Sequence, residues 1–311
     1  MKLKHFISTE QLSKSDLEEI FHLADKIKEN KNNFSSALNG YVIATLFYEP
    51  STRTRMSFES AIQRLGAKVI STENARENAS AVKGESLEDT IRIVEGYADA
   101  IILRHFEDDS AERAAAVAKI PIINAGSGRA EHPTQAVLDI YTIKELKGKV
   151  DGLKVAIMGD LKYGRTPHSL IQLLSLYNDI EIYGFSVNSL ELPDSYVEFL
   201  KSKNIRYIKC DSFNQIPRDI DVIYQTRVQR ERLEGKIQDT VEFNIDTAVL
   251  KSLSKDTLIM HPLPRVLEIN SEIDNDPRAV YFKQAHNGIP TRMATLILIM
   301  NYLYAKEKLA A

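Results

Sequence analysis

Phe47-Tyr48-Glu49-Pro50-Ser51-Thr52-Arg53-Thr54-Arg55 joins an apolar run at 41–48 to a segment of helical periodicity at 53–65. The run is short and bounded by Asn39-Gly40 and Glu49-Pro50, as expected for a strand buried on both faces. Gly66 stops the helix, and a second strand is expected at 68–71. Strand, turn, helix and strand is the unit from which parallel sheets are built. Such sheets bind ligands beyond the carboxyl ends of their strands, where the next helix offers free N–H groups and the positive end of its dipole. Here the turn adds the hydroxyls of Ser51, Thr52 and Thr54 and the guanidinium groups of Arg53 and Arg55, so a phosphate-like anion is expected. Two arginines two positions apart cannot share a helix face, and Arg53 is the one expected at the ligand. A plain helix cap with solvated arginines competes, but a cap does not require two arginines in the first turn.

Outward from this turn the alternation continues. Ser15-Asp16-Leu17-Glu18 reads as a capping box, followed by an apolar face of Leu17, Ile20, Phe21, Ala24 and Ile27. Residues 74–84 read as an exposed polar excursion, followed by helices near 86–97, 110–118 and 134–146 and strands at 100–103 and 121–124. Gly148, Asp151 and Gly152 bracket a boundary, which sets domains of 1–150 and 151–290. Beyond it come strands at 154–158, 180–185, 205–209, 222–225 and 258–260, a helix near 166–177 and a last helix over 291–308. The expected fold class is α/β, two doubly wound parallel-sheet domains with helices on both faces.

Composition agrees and excludes several classes. The 311 residues carry a formal net charge of −3, which gives no electrostatic reason to expect nucleic-acid binding. No segment approaches the apolar length that spans a bilayer, and the amino terminus lacks a signal-peptide core. The single cysteine, Cys210, cannot form an internal disulfide or build a metal site by itself, so a cytoplasmic location and no metal are expected.

Other turns carry ligand chemistry. Arg104-His105 closes one strand, and Glu131-His132-Pro133-Thr134-Gln135 precedes a helix, so neighbouring parallel strands would deliver both to the crevice of Ser51–Arg55. His132 can donate to a carbonyl oxygen and Gln135 can donate and accept, although a histidine there can equally cap the turn. Lys83, on the polar loop with Ser80, reads on its own as a solvated charge. Gly159-Asp160-Leu161-Lys162-Tyr163-Gly164-Arg165-Thr166 lacks the G-x-G-x-x-G of a dinucleotide site and places Arg165 where a carboxylate would bind; no cofactor is expected. Arg227, in Thr226-Arg227-Val228-Gln229-Arg230-Glu231-Arg232, supplies a second guanidinium for a dicarboxylate, with a self-paired charged loop as the competing reading. Met260-His261-Pro262-Leu263-Pro264-Arg265 fixes a backbone whose carbonyls could meet the ligand, and His261 could equally be structural.

Taken together, 47–55, Arg104-His105, His132-Pro133-Thr134-Gln135, Arg165-Thr166, Arg227-Val228-Gln229 and His261-Pro262-Leu263-Pro264-Arg265 resemble the catalytic chains of the aspartate carbamoyltransferases, over essentially the whole sequence. The resemblance implies transfer of a carbamoyl group from carbamoyl phosphate to L-aspartate, an early step of pyrimidine biosynthesis. It implies a carbamoyl-phosphate domain at 1–150 completed by a C-terminal helix at 291–311, and an aspartate domain at 151–290. Carbamoyl phosphate would meet Ser51, Thr52, Arg53, Thr54, Arg104, His132 and Gln135. Aspartate would meet Arg165, Arg227 and Gln229, and the backbone of Leu263 and Pro264 would meet the carbamoyl amine. Ser80 and Lys83 would come from a neighbouring copy in a homotrimer, an assembly that regulatory chains can join. His132, Arg53, Thr54, Arg104 and Lys83 would carry the catalysis. Ornithine enzymes share the Ser-Thr-Arg-Thr-Arg stretch but typically carry His-Pro-Cys-Gln and His-Cys-Leu-Pro where this chain has His132-Pro133-Thr134-Gln135 and His261-Pro262-Leu263-Pro264. Ornithine is therefore the alternative acceptor and aspartate the expected one.

Overall fold

The computed structural model describes residues 1–75, 84–227 and 244–310, the last seven as backbone only. Ser80, Lys83 and Gln229 lie outside the described residues. The chain divides into two compact units, Met1–Leu138 with Asn287–Ala311, and Asp139–His286.

The first unit holds a four-stranded parallel sheet, β1 (Val42–Phe47), β2 (Lys68–Glu73), β3 (Ala100–His105) and β4 (Ile122–Ser127), in the order β2-β1-β3-β4. Five of the six β1 residues and all six of β4 are buried, so both faces of the sheet centre are covered, whereas the edge strand β2 is largely exposed. Helix α1 (Lys14–Glu29) buries Leu17, Ile20, Phe21, Ala24 and Ile27 as its periodicity predicts. Its cap differs from the expected one. Ser13 is the N-cap, and its hydroxyl accepts from the Asp16 N–H while Asp16 accepts from the Ser13 N–H, so the reciprocal pair sits two residues earlier. Helix α2 (Thr52–Arg64) buries Thr54, Phe58, Ala61 and Ile62 against the sheet, and α3 (Leu87–Val94) and α4 (Ser110–Val117) add Leu87, Ile91 and Ala114 to the core. Residues before α1 extend the sheet, because Phe6 pairs beside β4, donating to the Ile122 carbonyl and accepting from the Asn124 N–H, both at 2.8 Å.

The second unit holds five parallel strands, β5 (Lys154–Met158), β6 (Glu181–Phe185), β7 (Arg206–Cys210), β8 (Val222–Gln225) and β9 (Leu258–Met260), ordered β7-β6-β5-β8-β9. Its core includes Ala156, Met158, Ile223, Ile259, Ile269 and Tyr281. Helix α5 (Pro133–Lys147) supplies residues to both units, and α6 (Arg165–Leu174) follows β5. Two helices escape the sequence reading, α7 (Asp194–Ser202) and α8 (Thr247–Ser252); each buries a single residue, Leu200 and Leu250, too few to show a period.

The last helix, α9 (Tyr281–Ala310), begins ten residues before the expected start at 291. Pro290 lacks the N–H that would bond to the His286 carbonyl, yet the helix runs through it. The Thr291 hydroxyl donates to the Asn287 carbonyl at 2.8 Å and keeps the turn bonded. From Asn287 onward the helix belongs to the first unit, where Asn287 accepts from Lys28 Nζ at 3.2 Å and the Arg292 guanidinium lies 4.9 Å from the Phe58 ring.

Candidate active site

In the first sheet the strand order reverses between β1 and β3, the place where open α/β sheets leave a crevice. The carboxyl ends of β1, β3 and β4 lie side by side: Phe47 is opposite Arg104, and His105 is opposite Ser127 beyond a register shift. The Tyr48 N–H donates to the Arg104 carbonyl and the Gly128 N–H to the His105 carbonyl, both at 2.9 Å, which ties the three following turns together. Thr54, in the first turn of α2, is buried with Oγ1 3.5 Å from His132 Nε2. Residues 78 positions apart thus meet. Arg104 lies between these turns, 3.4 Å from Glu49 and 3.4 Å from the Ala125 carbonyl.

Ser51 occupies the N-cap position of α2 but makes no capping hydrogen bond. The purely structural reading of that hydroxyl therefore lacks its defining contact. The two arginines of the turn have different surroundings. Arg55 donates to Glu59 at 3.3 Å and Glu73 at 2.7 Å, whereas the Arg53 side chain is exposed. Gln135 is buried one turn after His132, whose carbonyl accepts its N–H at 3.0 Å. His105 packs between the rings of Tyr48 and Phe106 at 4.5 and 4.2 Å and accepts from the Glu107 N–H, and burial lowers its pKa. It is a neutral packing residue.

The second sheet repeats the arrangement at β5 and β8, where its own order reverses. Gly159, with φ +106°, lets the end of β5 approach Thr226 so closely that an added Cβ would lie 2.2 Å from the Thr226 carbonyl oxygen. The Thr226 hydroxyl donates to the Met158 carbonyl at 3.0 Å and accepts from the Asp160 N–H at 3.1 Å. This ties the turn that leads to Arg165 to the residue before Arg227. Arg165 is the first residue of α6 and is buried, so its charge sits at the positive end of a helix, where an anionic ligand is favoured.

His261 is structural. Nδ1 accepts from the Leu263 N–H at 2.8 Å, which leaves Nε2 as the donor to Glu268 at 2.7 Å, and Glu268 also accepts from the Val266 and Leu267 N–H groups. Burial pushes the Glu268 carboxyl up, but the His261 and backbone hydrogen bonds outweigh it and leave it below the usual range. Leu263 has φ +56° and a cis bond to Pro264.

Sequence reasoning missed the polar network beneath this turn. Asp139 is fully buried and accepts from Tyr224 at 2.8 Å and from Gln284 Nε2 at 2.7 Å, while Gln284 Oε1 accepts from the His261 N–H at 2.9 Å. One carboxylate thus fixes the ends of β8 and β9. A charged residue between Leu138 and Ile140, inside the otherwise apolar run 136–141, was the available signal.

Residues 4–145 match the family model described as the aspartate/ornithine carbamoyltransferase carbamoyl-P binding domain, and residues 151–299 match the Asp/Orn binding domain of the same family. The chain is 48% identical over 305 residues to a chloroplastic aspartate carbamoyltransferase of Pisum sativum, covering 96% of this chain and 79% of that protein. It is 46% identical to the aspartate carbamoyltransferase catalytic subunit of Methanocaldococcus jannaschii, covering 94% and 97% of the two chains. A crystal structure of the M. jannaschii catalytic subunit superposes with a TM-score of 0.88 at 45% identity, covering 96% and 98%. The Trypanosoma cruzi aspartate transcarbamoylase in complex with carbamoyl phosphate and aspartate superposes with a TM-score of 0.89 at 36% identity, covering 94% and 96%. The chain belongs to the aspartate/ornithine carbamoyltransferase family, and the relatives described above are aspartate carbamoyltransferases.

Proposed function

We propose that the protein transfers the carbamoyl group of carbamoyl phosphate to the amine of L-aspartate, giving N-carbamoyl-L-aspartate and phosphate in pyrimidine formation. The observation that carries this reading is the meeting of Thr54 and His132 beside Arg104 at the first sheet's switch point, in a chain whose similar relatives carry the aspartate name. Ser51, Thr52, Arg53, Thr54 and Arg104 supply hydroxyl and guanidinium donors for the phosphate, and Gln135 supplies an amide for the carbamoyl group. His132, Thr54 and Arg104 stabilise charge that develops on the carbonyl oxygen. Arg53 favours departure of phosphate, which can take the proton lost by the attacking amine. Arg165, Arg227 and Gln229 hold the two aspartate carboxylates, and the Leu263 and Pro264 backbone receives the carbamoyl amine. Ser80 and Lys83 complete the phosphate site from a neighbouring copy of a homotrimer. The protein works in the cytoplasm on this reading; no described helix is long and apolar enough to cross a membrane.

Steady-state kinetics of two variants test the division of labour. Arg53→Ala is expected to raise KM for carbamoyl phosphate at least about ten-fold with little change for aspartate, and Arg227→Ala the reverse. Equal loss of both substrates in both variants would make these arginines structural.

A further inference from the structure

The carboxylate of Glu131, the residue before His132, gathers three donors from a segment more than 120 positions earlier in the chain. Oε1 accepts from the Ser8 hydroxyl at 2.6 Å, and Oε2 accepts from the Thr9 N–H and the Thr9 hydroxyl, both at 2.8 Å. The same residue is fixed through its backbone, since its carbonyl accepts from the Ser127 N–H at 3.0 Å and closes the turn between β4 and α5. The segment that supplies the donors is itself anchored. Phe6 pairs beside β4, and Asn124 Nδ2 donates to the Ile7 carbonyl at 2.9 Å and to Ser127 Oγ at 3.1 Å. Burial leaves the Glu131 carboxyl above its ordinary range although the Ser8 and Thr9 hydrogen bonds pull it back, so these donors stand in for part of the water the group has lost.

We propose that Glu131 is the positioning residue of His132: its clamp on Ser8 and Thr9 holds the turn that aims the imidazole at the carbamoyl oxygen. The proposal rests on the assignment of His132 to that oxygen. Glu131 acts here as a hydrogen-bond hub rather than as a charge. A glutamine can replace it, because the amide oxygen can accept both Thr9 donors while the amide nitrogen donates to Ser8 Oγ, whose proton then turns away. An alanine leaves Thr9 without its acceptor and frees the turn.

The test compares Glu131→Ala, Glu131→Gln, the double variant Ser8→Ala/Thr9→Val and His132→Ala in the full-length protein. It reads kcat, KM for carbamoyl phosphate and the imidazole proton signal of His132, assigned by its loss in His132→Ala. Because misplacing a catalytic group by about 1 Å can cost up to ~100-fold, Glu131→Ala and the double variant are expected to lower kcat roughly 10- to 100-fold. KM for carbamoyl phosphate should stay within about three-fold and the His132 signal should shift, while Glu131→Gln keeps both near wild type. The double variant reads the same clamp from its other end if Glu131→Ala fails to fold. Wild-type kcat and an unmoved His132 signal in Glu131→Ala, beside an inactive His132→Ala, would overturn the positioning role alone. A Glu131→Gln as impaired as Glu131→Ala would overturn it in favour of a role for the charge. Full kcat in His132→Ala would remove the underlying assignment, and the proposal with it.

Discussion

Tyr224 and Asp139 show how much of the shape of the turn at 261–265 hangs on buried partners. Burial and the adjacent Asp139 carboxylate raise the Tyr224 phenol well above its ordinary pKa, so it stays a neutral donor at any working pH. Tyr224→Phe removes one of the hydrogen bonds to a fully buried carboxylate and is expected to cost about 1–3 kcal/mol, read as a lower urea midpoint with an unchanged slope. An unchanged midpoint would mean that another donor already satisfies that oxygen. The visible half of each site consisted of residue types with a chemistry of their own, such as Arg53, Thr54, Arg104, His132 and Arg165, placed where strands end. The hidden half, Asp139, Tyr224, Gln284 and Glu131, consists of ordinary residues whose partners lie far along the chain. Hydrogen bonds across 85, 122 and 145 positions leave no local pattern to read.

At the scale of elements, parallel pairing does most of the assembling. Once β1, β3 and β4 share a direction, their following turns must emerge at one edge, and the same holds for β5, β8 and β9. Apolar runs in strands and one-sided helices such as α1 and α2 were legible because their periods are imposed by burial. The ends were harder. The α1 cap lies at Ser13 because Asp16 reaches back to it, and α9 ignores Pro290 because packing of its apolar length outweighs one lost hydrogen bond. The close approach of β5 to Thr226 makes Gly159 the element-scale weak point. Gly159→Ala meets both the positive φ and the Thr226 carbonyl, and is expected to raise KM for aspartate at least about ten-fold while carbamoyl-phosphate binding by calorimetry is retained. Wild-type aspartate kinetics in that variant would show that the turn carrying Arg165 does not depend on this contact.

For the whole molecule, ion pairs in the second unit make part of the stability depend on pH. Arg265 holds the Asp274 carboxyl below its ordinary 3.8, with Tyr281 adding a hydrogen bond, and Arg278 does the same for Asp276. A carboxyl whose pKa is lower in the folded state stabilises that state above its unfolded value and loses the contribution as pH falls through the folded one. The contribution of these two pairs to stability should therefore be constant near neutral pH and be lost below about pH 4. Asp274→Asn should lower it by on the order of 1 kcal/mol at pH 7 and flatten the acid limb, as followed by thermal melts across pH. A limb as steep as that of the wild type would place the acid-sensitive group elsewhere.

The proposed reaction is defined by its two substrates, carbamoyl phosphate and L-aspartate. On the proposed reading Arg165 and Arg227 offer cations to the acceptor's carboxylates, and the motifs at 132–135 and 261–264 carry threonine and proline where ornithine enzymes typically carry cysteine. The most direct measurement is the initial rate of transfer from labelled carbamoyl phosphate to L-aspartate and, in parallel, to L-ornithine. Labelled N-carbamoyl-L-aspartate with no citrulline is the predicted result. Citrulline without carbamoyl-aspartate would contradict the acceptor assignment, and no transfer to either would contradict the catalytic reading of the Thr54, Arg104 and His132 site.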